Sequence, residues 1–365
     1  MQRSVFKVIA PIAVLATIGT AQVVSAGTTE PPTDTEAPAE ASGDSLLDEV
    51  IARDSVKCGV RVDLPGFNSV DESGEQTGFD ADFCRVIAAA VLGDSTKVEF
   101  VNIDSGDARF PALQSGEIDV LVRNTTWTAG RDGTEGATFL HPIFYDGQGM
   151  MVATDAYASI DEMDGANVCV VAGTTTEGNV ATEFAARGLT ANVESFEDIG
   201  LLQEAWIAGS CDGWSSDTSQ LNAVRASFPD ADGGPDSLVI LDEVFSKEPL
   251  APAVLDNDSR WADAVNWAIF ATIQAEEFGV TSENAADMAA GEDPAIAAFL
   301  GAPNADGTVV DPGLGLATDF ALQVVSQVGN YGEIFDRNLT QTIGIERGLN
   351  ALWTDGGLRY APPSR

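Results

Sequence analysis

Apolar positions along the chain fall into short runs that alternate with segments of helical spacing, the order expected of strands interleaved with helices. Residues 55–62 form a β-rich run, followed by a loop rich in Pro, Gly and Asn that leads to Gly78-Phe79-Asp80. Between Asp82 and Leu92, residues Phe83, Val86, Ile87, Ala90 and Val91 recur at the spacing of one helix face. Residues 97–101 predict a strand, 109–115 a short helix and 118–122 another strand. This last run is apolar apart from Asp119, as suits a parallel strand covered on both faces. The series reads β-α-β-α-β.

A second unit repeats that logic. After an apolar run at 149–154 come a strand at 168–171, a turn at 173–177 and a helix at 179–187. A strand at 191–196, a helix at 199–208 and a strand from Cys211 to Ser215, ending at Asp217, complete it. Residues 239–241 are apolar again, and 249–254 read as a return crossing into the first unit. From Ser259 the pattern is mostly helical, with Trp261, Val265, Ile269 and Ile273 four residues apart. One lobe interrupted by another and then resumed implies two crossing strands, which make a hinge. The lobes are expected at 45–148 with 249–365, including a helical C-terminal extension, and at 149–248. The fold class is α/β, with a mostly parallel sheet flanked by helices in each lobe.

The N-terminus has a different character. Arg3 and Lys7 precede a short apolar run over 8–18 broken by Pro11, and Val24-Ser25-Ala26 follows as a small-x-small site. This order reads as a cleaved secretory signal over 1–26. Its apolar core is shorter than the ~20 residues of a spanning helix. Residues 27–44 carry Thr, Pro, Glu, Ala and Ser with no large apolar residue, the composition of a disordered acidic tether. The folded body then runs for about 320 residues, a length that suits two domains.

Charge and cysteine content narrow the function. A formal net charge of −39 repels nucleic acid and anionic membrane surfaces. The chain has four cysteines: Cys58, Cys84, Cys169 and Cys211. An even count in an exported protein points to two disulfides with three possible connectivities. One cluster in each half favours Cys58–Cys84 and Cys169–Cys211. No Cys-x-x-Cys pair or neighbouring histidine supports a metal site, and no cofactor is expected.

Three constellations could carry chemistry. In Asp119-Val-Leu-Val-Arg-Asn-Thr-Thr-Trp-Thr-Ala-Gly-Arg131 a buried strand opens into a hydroxyl-rich loop, with a helix start at Thr128. Ligands sit at such strand ends. The guanidinium of Arg131 offers a planar fork for a carboxylate, whereas a helix dipole gives it nothing there; a surface ion pair is the alternative. Gly173-Thr174-Thr175-Thr176-Glu177 could receive an anion on its amides and hydroxyls, or could be an ordinary helix cap. Asp217, at a strand end, could accept an ammonium group or cap the next helix.

These stretches occur together with Cys58-Gly-Val, Leu64-Pro-Gly-Phe67, Gly78-Phe-Asp and Leu113-Gln-Ser-Gly-Glu-Ile-Asp-Val120. Tyr145-Asp-Gly-Gln-Gly149 and the tail from Gly348-Leu-Asn-Ala-Leu-Trp to Tyr360-Ala-Pro-Pro complete the set. From about Ser55 onward the sequence resembles the polar amino-acid solute-binding proteins of ABC transporters, a family with a two-lobed periplasmic-binding-protein fold. The resemblance is greatest to the general L-amino-acid-binding branch, which has a long C-terminal extension. It implies that Arg131 holds the ligand α-carboxylate, helped by Thr126, the Asn124 loop and Thr175 with its neighbour Thr174. Asp217 would accept the α-ammonium. Leu64 and Phe67 would wall the side-chain pocket, with Arg123 and Trp127 as further candidates. Many relatives carry an aromatic residue where Leu64 falls and serine where Arg123 falls. The implied partners are a free L-amino acid and the membrane permease of an importer, with the receptor a monomer.

The rival reading is an exported enzyme of the same fold, a dehydratase acting on a small carboxylate. The single histidine, His141, precedes Pro142 with no nucleophile motif beside it, and Gly-x-Ser-x-Gly is absent.

Overall fold

A computed structural model describes residues 45–364, except Glu72, Asp104 and Ala305. The expected signal segment and acidic tether lie outside the described residues. Helix α1 (Leu46–Arg53) starts at Ser45, whose hydroxyl accepts from the Leu47 amide, and ends at Asp54 in the left-handed conformation. Strand β1 (Val56–Val60) follows, then β2 (Asp63–Leu64), β3 (Asn68–Val70) and β4 (Gln76–Thr77). The last three form a small antiparallel sheet where the sequence reads as loop. Two- and three-residue strands bracketed by Pro and Gly have too few alternating positions to register as a period.

Helix α2 (Phe79–Leu92), strand β5 (Val98–Asn102), helix α3 (Arg109–Gln114), strand β6 (Val120–Leu121) and helix α4 (Ala129–Thr134) complete the first βα series. Strand β7 (Ala137–Phe139) precedes the first crossing strand, β8 (Phe144–Asp146). The second lobe holds β9 (Gln148–Ala153), β10 (Ala166–Val171), α5 (Thr175–Ala186), β11 (Ala191–Phe196), α6 (Ile199–Ile207), β12 (Gly213–Asp217), α7 (Thr218–Ala226) and β13 (Leu238–Ile240). The chain returns through β14 (Glu248–Leu250) into β15 (Ala253–Leu255) and the long helix α8 (Ser259–Glu277).

The strand orders are β5-β1-β6-β15-β7 and β11-β10-β12-β9-β13. Each sheet therefore has four strands running one way and a single reversed strand, β15 or β9, second from one edge. In both, the strand that completes the parallel set accepts the strand arriving from a crossing. The crossings β8 and β14 pair antiparallel, with Asp146 opposite Glu248.

Packing follows the apolar faces. Trp261, Val265, Ile269 and Ile273 of α8 are fully buried, and Trp261 Nε1 donates to the Asp119 carbonyl at 2.9 Å. A Phe side chain buried in this way contributes roughly 1.5–3 kcal/mol. Phe67, Phe79, Phe83, Phe144, Tyr331 and Phe335 form a mostly edge-to-face cluster beneath the first crossing. Disulfides Cys58–Cys84 and Cys169–Cys211 tie β1 to α2 and β10 to the approach of β12, with Cα separations of 6.0 and 5.8 Å.

Candidate functional site

The loops leaving the carboxyl ends of β1, β6, β10 and β12 converge on one narrow cleft. This is where open α/β sheets expose backbone and side chains to a ligand. Arg61, Arg109, Arg123, Asn124, Thr126 and Arg131 line it from the first lobe. Thr174, Thr175, Thr176, Ser216, Asp217 and Gln220 face them from the second.

On the first-lobe side β6 ends and the backbone turns at Asn124, whose φ of +41° lies in the left-handed region that Asn tolerates better than most residues. Thr126 bridges to Leu250 of the returning crossing. Thr128 caps α4 by accepting from the Arg131 amide at 3.2 Å, which fixes where the Arg131 side chain leaves the helix. Its guanidinium then donates to the Thr126 carbonyl at 2.9 Å and reaches the Gly173 carbonyl of the second lobe at 3.4 Å. No carboxylate lies within ion-pair distance of it among the described residues. Burial lowers the Arg131 pKa, against the opposing pull of Glu248, Asp217 and Glu135.

On the second-lobe side Asp217 occupies the N-cap position of α7, yet its side chain makes no capping bond. It is buried, and its Oδ1 has no hydrogen-bond partner among the described residues. Burial raises its pKa well above the usual carboxylate range; Asp146 and Glu248 push it further, and Arg109 and Arg131 oppose them. The Thr174 hydroxyl donates to the Val171 carbonyl at 2.6 Å rather than capping α5. Thr175 Oγ1 donates to Glu248 Oε2 at 2.9 Å, so the buried Glu248 is held by the α5 start and by Asn179.

The structure brings Arg131, Asp217, Thr126, Thr175, Asn124, Thr174 and Arg123 to this cleft. It sets Leu64, Phe67 and Trp127 elsewhere. Leu64 is wholly buried in the first-lobe core. Phe67 packs in a closely filled region with Asp80, Arg123 and Asn124. Trp127 is 39% exposed and stacks on Phe139, away from the cleft. The sequence reading did not single out Arg61, Arg109 and Gln220. Arg61 pairs with Asp63 at 2.6 Å and donates to Gln220 Oε1 at 3.1 Å, linking the two lobes. His141 lies outside the cleft against Phe270, its pKa pushed down to about 4 by burial and by Arg359. Among the described residues no cluster of His, Cys, Asp or Glu could hold a metal ion.

Opposed charges presented by two lobes that crossing strands join make a device for enclosing a small polar solute. The model for bacterial extracellular solute-binding proteins, family 3, matches residues 56–284. The chain belongs to this family. One relative of this solute-binding protein is the general L-amino acid-binding periplasmic protein AapJ of Rhizobium johnstonii, 46% identical over 90% of this chain and 95% of the relative. The glutamate/glutamine/aspartate/asparagine-binding protein BztA of Rhodobacter capsulatus is 44% identical over 90% and 95%. Among solved structures, a periplasmic binding protein from Brucella ovis with glutathione bound superposes with a TM-score of 0.83 at 43% identity, covering 88% of this chain and all of that one. These relatives are named as binding proteins. Among the described residues, no helix of this family member is long and apolar enough to cross a membrane.

Proposed function

We propose that this solute-binding protein is a periplasmic, non-enzymatic receptor that closes on free L-amino acids and delivers them to the permease of an ABC importer. The observation that carries the reading is that Arg131, partly buried, and Asp217, buried, line one cleft from opposite lobes, and among the described residues neither has an ion-pair partner within reach. The α-carboxylate of an amino acid suits Arg131, and its α-ammonium suits Asp217. Each ligand charge loses water on enclosure and so needs a partner of opposite sign. Thr126, Thr175, Thr174 and the Asn124 loop line the same cleft and would complete the hydrogen bonds. Polar and acidic side chains fall within the expected range, with Arg123 toward that end.

Lobes at 45–148 with 249–365, and at 149–248, fit the two sheets and the β8/β14 crossing. A ligand that gains partners from both lobes only when they meet shifts the population toward closure by that difference in affinity. Export through a cleaved signal and function as a monomer belong to the same reading, and the relatives' names support the amino-acid ligand and the periplasm.

Titration calorimetry tests it. L-amino acids should bind, their D-enantiomers and sugars should not, and Arg131→Ala or Asp217→Ala should each weaken binding by at least about a hundredfold. Near wild-type affinity in either folded variant removes that residue from the site.

A further inference from the structure

The first turn of α7 is fixed to the hinge. Thr218 donates to the Gly147 carbonyl from its amide at 2.8 Å and from its hydroxyl at 2.5 Å. The Ser219 amide donates to Asp146 Oδ2 at 3.2 Å, at the end of crossing strand β8. Asp217 stands immediately before these residues, at the N-cap. Immediately after them, Gln220 reaches the other lobe, its Oε1 accepting from Arg61 Nη1 at 3.1 Å. One helical turn thus grips the crossing, carries the carboxylate assigned to the ligand ammonium and bonds to the first lobe.

The first-lobe end of this bond is held rigidly. Arg61 follows β1, and its Nε and Nη2 donate to Asp63 Oδ1 and Oδ2 at 2.6 and 3.0 Å. This fork on one carboxylate sets the plane of the guanidinium and aims Nη1 at Gln220. The Arg61 carbonyl accepts from Asn68 Nδ2 at 2.6 Å, which pins the backbone too. Arg61 and Gln220 are 6% and 7% exposed. A bond between groups already held in place loses little side-chain freedom when it forms. Farther along, α7 lies against β2 and the short helix Gln341–Ile343, and its Leu221 and Val224 share an apolar cluster with Leu64 and Ile343.

We propose that Arg61 and Gln220 form a latch between the lobes, which stabilises the closed receptor around every ligand that the α-carboxylate and α-ammonium sites accept. The proposal rests on the amino-acid reading and adds a positioning role for these two residues. Both partners belong to the protein, so the bond contributes equally whatever side chain the ligand brings. It forms only when the lobes meet, so it acts on the population of the closed state and multiplies each affinity by one factor. Affinity gained this way does not draw on the side-chain pocket, which suits a receptor for several amino acids. Direct contact of either residue with the ligand would give the opposite pattern, a factor that changes from ligand to ligand.

Titration calorimetry and stopped-flow fluorescence on the full-length protein test the latch with L-glutamate, L-glutamine, L-alanine and L-arginine. Gln220→Met keeps the length and the helix propensity and removes the acceptor. It should weaken each of these ligands that binds wild type by the same factor, about tenfold to a hundredfold. The loss should appear as faster dissociation, with association little changed. Arg61→Met should give a similar factor, and the double variant should bind no more weakly than the single ones. Factors that differ between ligands by more than the titration error overturn the latch in favour of direct ligand contact. Unchanged affinity in Gln220→Met, or losses that add in the double variant, also overturn it. All three results leave the amino-acid reading standing, whereas wild type that binds none of the four defeats both. If Gln220→Met does not fold, Gln220→Ala takes its place.

Discussion

Gly173 and Asp107 meet so closely across the cleft that a Cβ on the glycine would lie 2.2 Å from Asp107 Oδ1. Gly173 has a φ of +69°, in the region that glycine favours, and its carbonyl accepts from Arg131. Opposite it, a Cβ on Gly106 would lie 2.8 Å from the Ala172 carbonyl. The two loops therefore approach too closely for a side chain at either glycine, Gly106 against the backbone of Ala172 and Gly173 against the side chain of Asp107.

This meeting is a condition of closure and can be tested as one. Gly173→Ala should weaken ligand binding about tenfold or more, because the clash bears only on the closed arrangement while the φ strain of roughly 1–2 kcal/mol bears on both states. Gly106→Ala has no φ penalty and isolates the approach. Small-angle scattering with saturating ligand should show both variants more open than wild type. A Gly106→Ala protein that compacts normally would disprove this role for the contact.

Asp80 predicts an unusual slope of stability with pH. Burial holds its carboxyl up at about 8 despite Arg61, the Asn124 amide and Arg123, whereas an unfolded aspartate titrates near 3.9. The native state therefore binds this proton more tightly. Its contribution is fully present below about pH 4 and is lost as pH rises toward 8, at up to about 1.4 kcal/mol per pH unit. Asp80→Asn keeps the shape and an acceptor for the Asn124 amide and removes this titration. Thermal unfolding from pH 5 to 8 should be flatter in the variant, which should be at least as stable at pH 8. A variant slope parallel to wild type would refute the assignment.

Much of the frame was legible because buried strands and amphipathic helices impose periods of 2 and 3.6 on the sequence. The pattern Trp261, Val265, Ile269 and Ile273 marked the buried face of α8, and cysteine clustering indicated the two disulfides. The β2–β4 sheet was not legible, since its strands are too short to show a period. The Leu64-Pro-Gly-Phe67 segment resembled a pocket wall, but the strand pairing of Leu64 with Asn68 draws it into the core. Arg109 had a usable signal, a cation at a helix start, where the dipole does not favour one. Arg131 carries the same signal. Gln220 and Arg61 carried no local signal, because their link spans 159 residues and exists only in the fold.

The disulfides should contribute unequally. Chain entropy grows with the loop closed, and the separations are 26 and 42 residues. Replacing Cys58 and Cys84 with Ala should cost about 3.5 kcal/mol, and replacing Cys169 and Cys211 about 4 kcal/mol. Urea unfolding of each double variant checks both values. A loss under about 1 kcal/mol in either would mean that the reduced chain already holds those segments together.

The C-terminal extension has a structural role that centres on Arg359. This guanidinium is fully buried, 4.7 Å from the Tyr145 ring centre and 4.5 Å from that of Tyr331. It donates to the Pro142 carbonyl and to Asn350 Oδ1, the latter at 2.7 Å. Asn350 in turn accepts from the Tyr145 amide at 2.7 Å and donates to the Tyr145 carbonyl at 3.0 Å. The tail thus fills the backbone valences of β8 on the edge that β14 does not use, and clamps one of the two crossing strands. Arg359→Met keeps the bulk but loses the hydrogen bonds and the cation–π contacts, at about 2–4 kcal/mol. The melting temperature should fall by several degrees, and amide exchange over 143–146 should accelerate more than exchange in β10. Arg359→Lys should not restore either, because a point charge cannot span two carbonyl-type acceptors while lying flat between two rings. Uniformly faster exchange throughout the protein would instead mean that Arg359 supports global stability with no particular hold on the crossing.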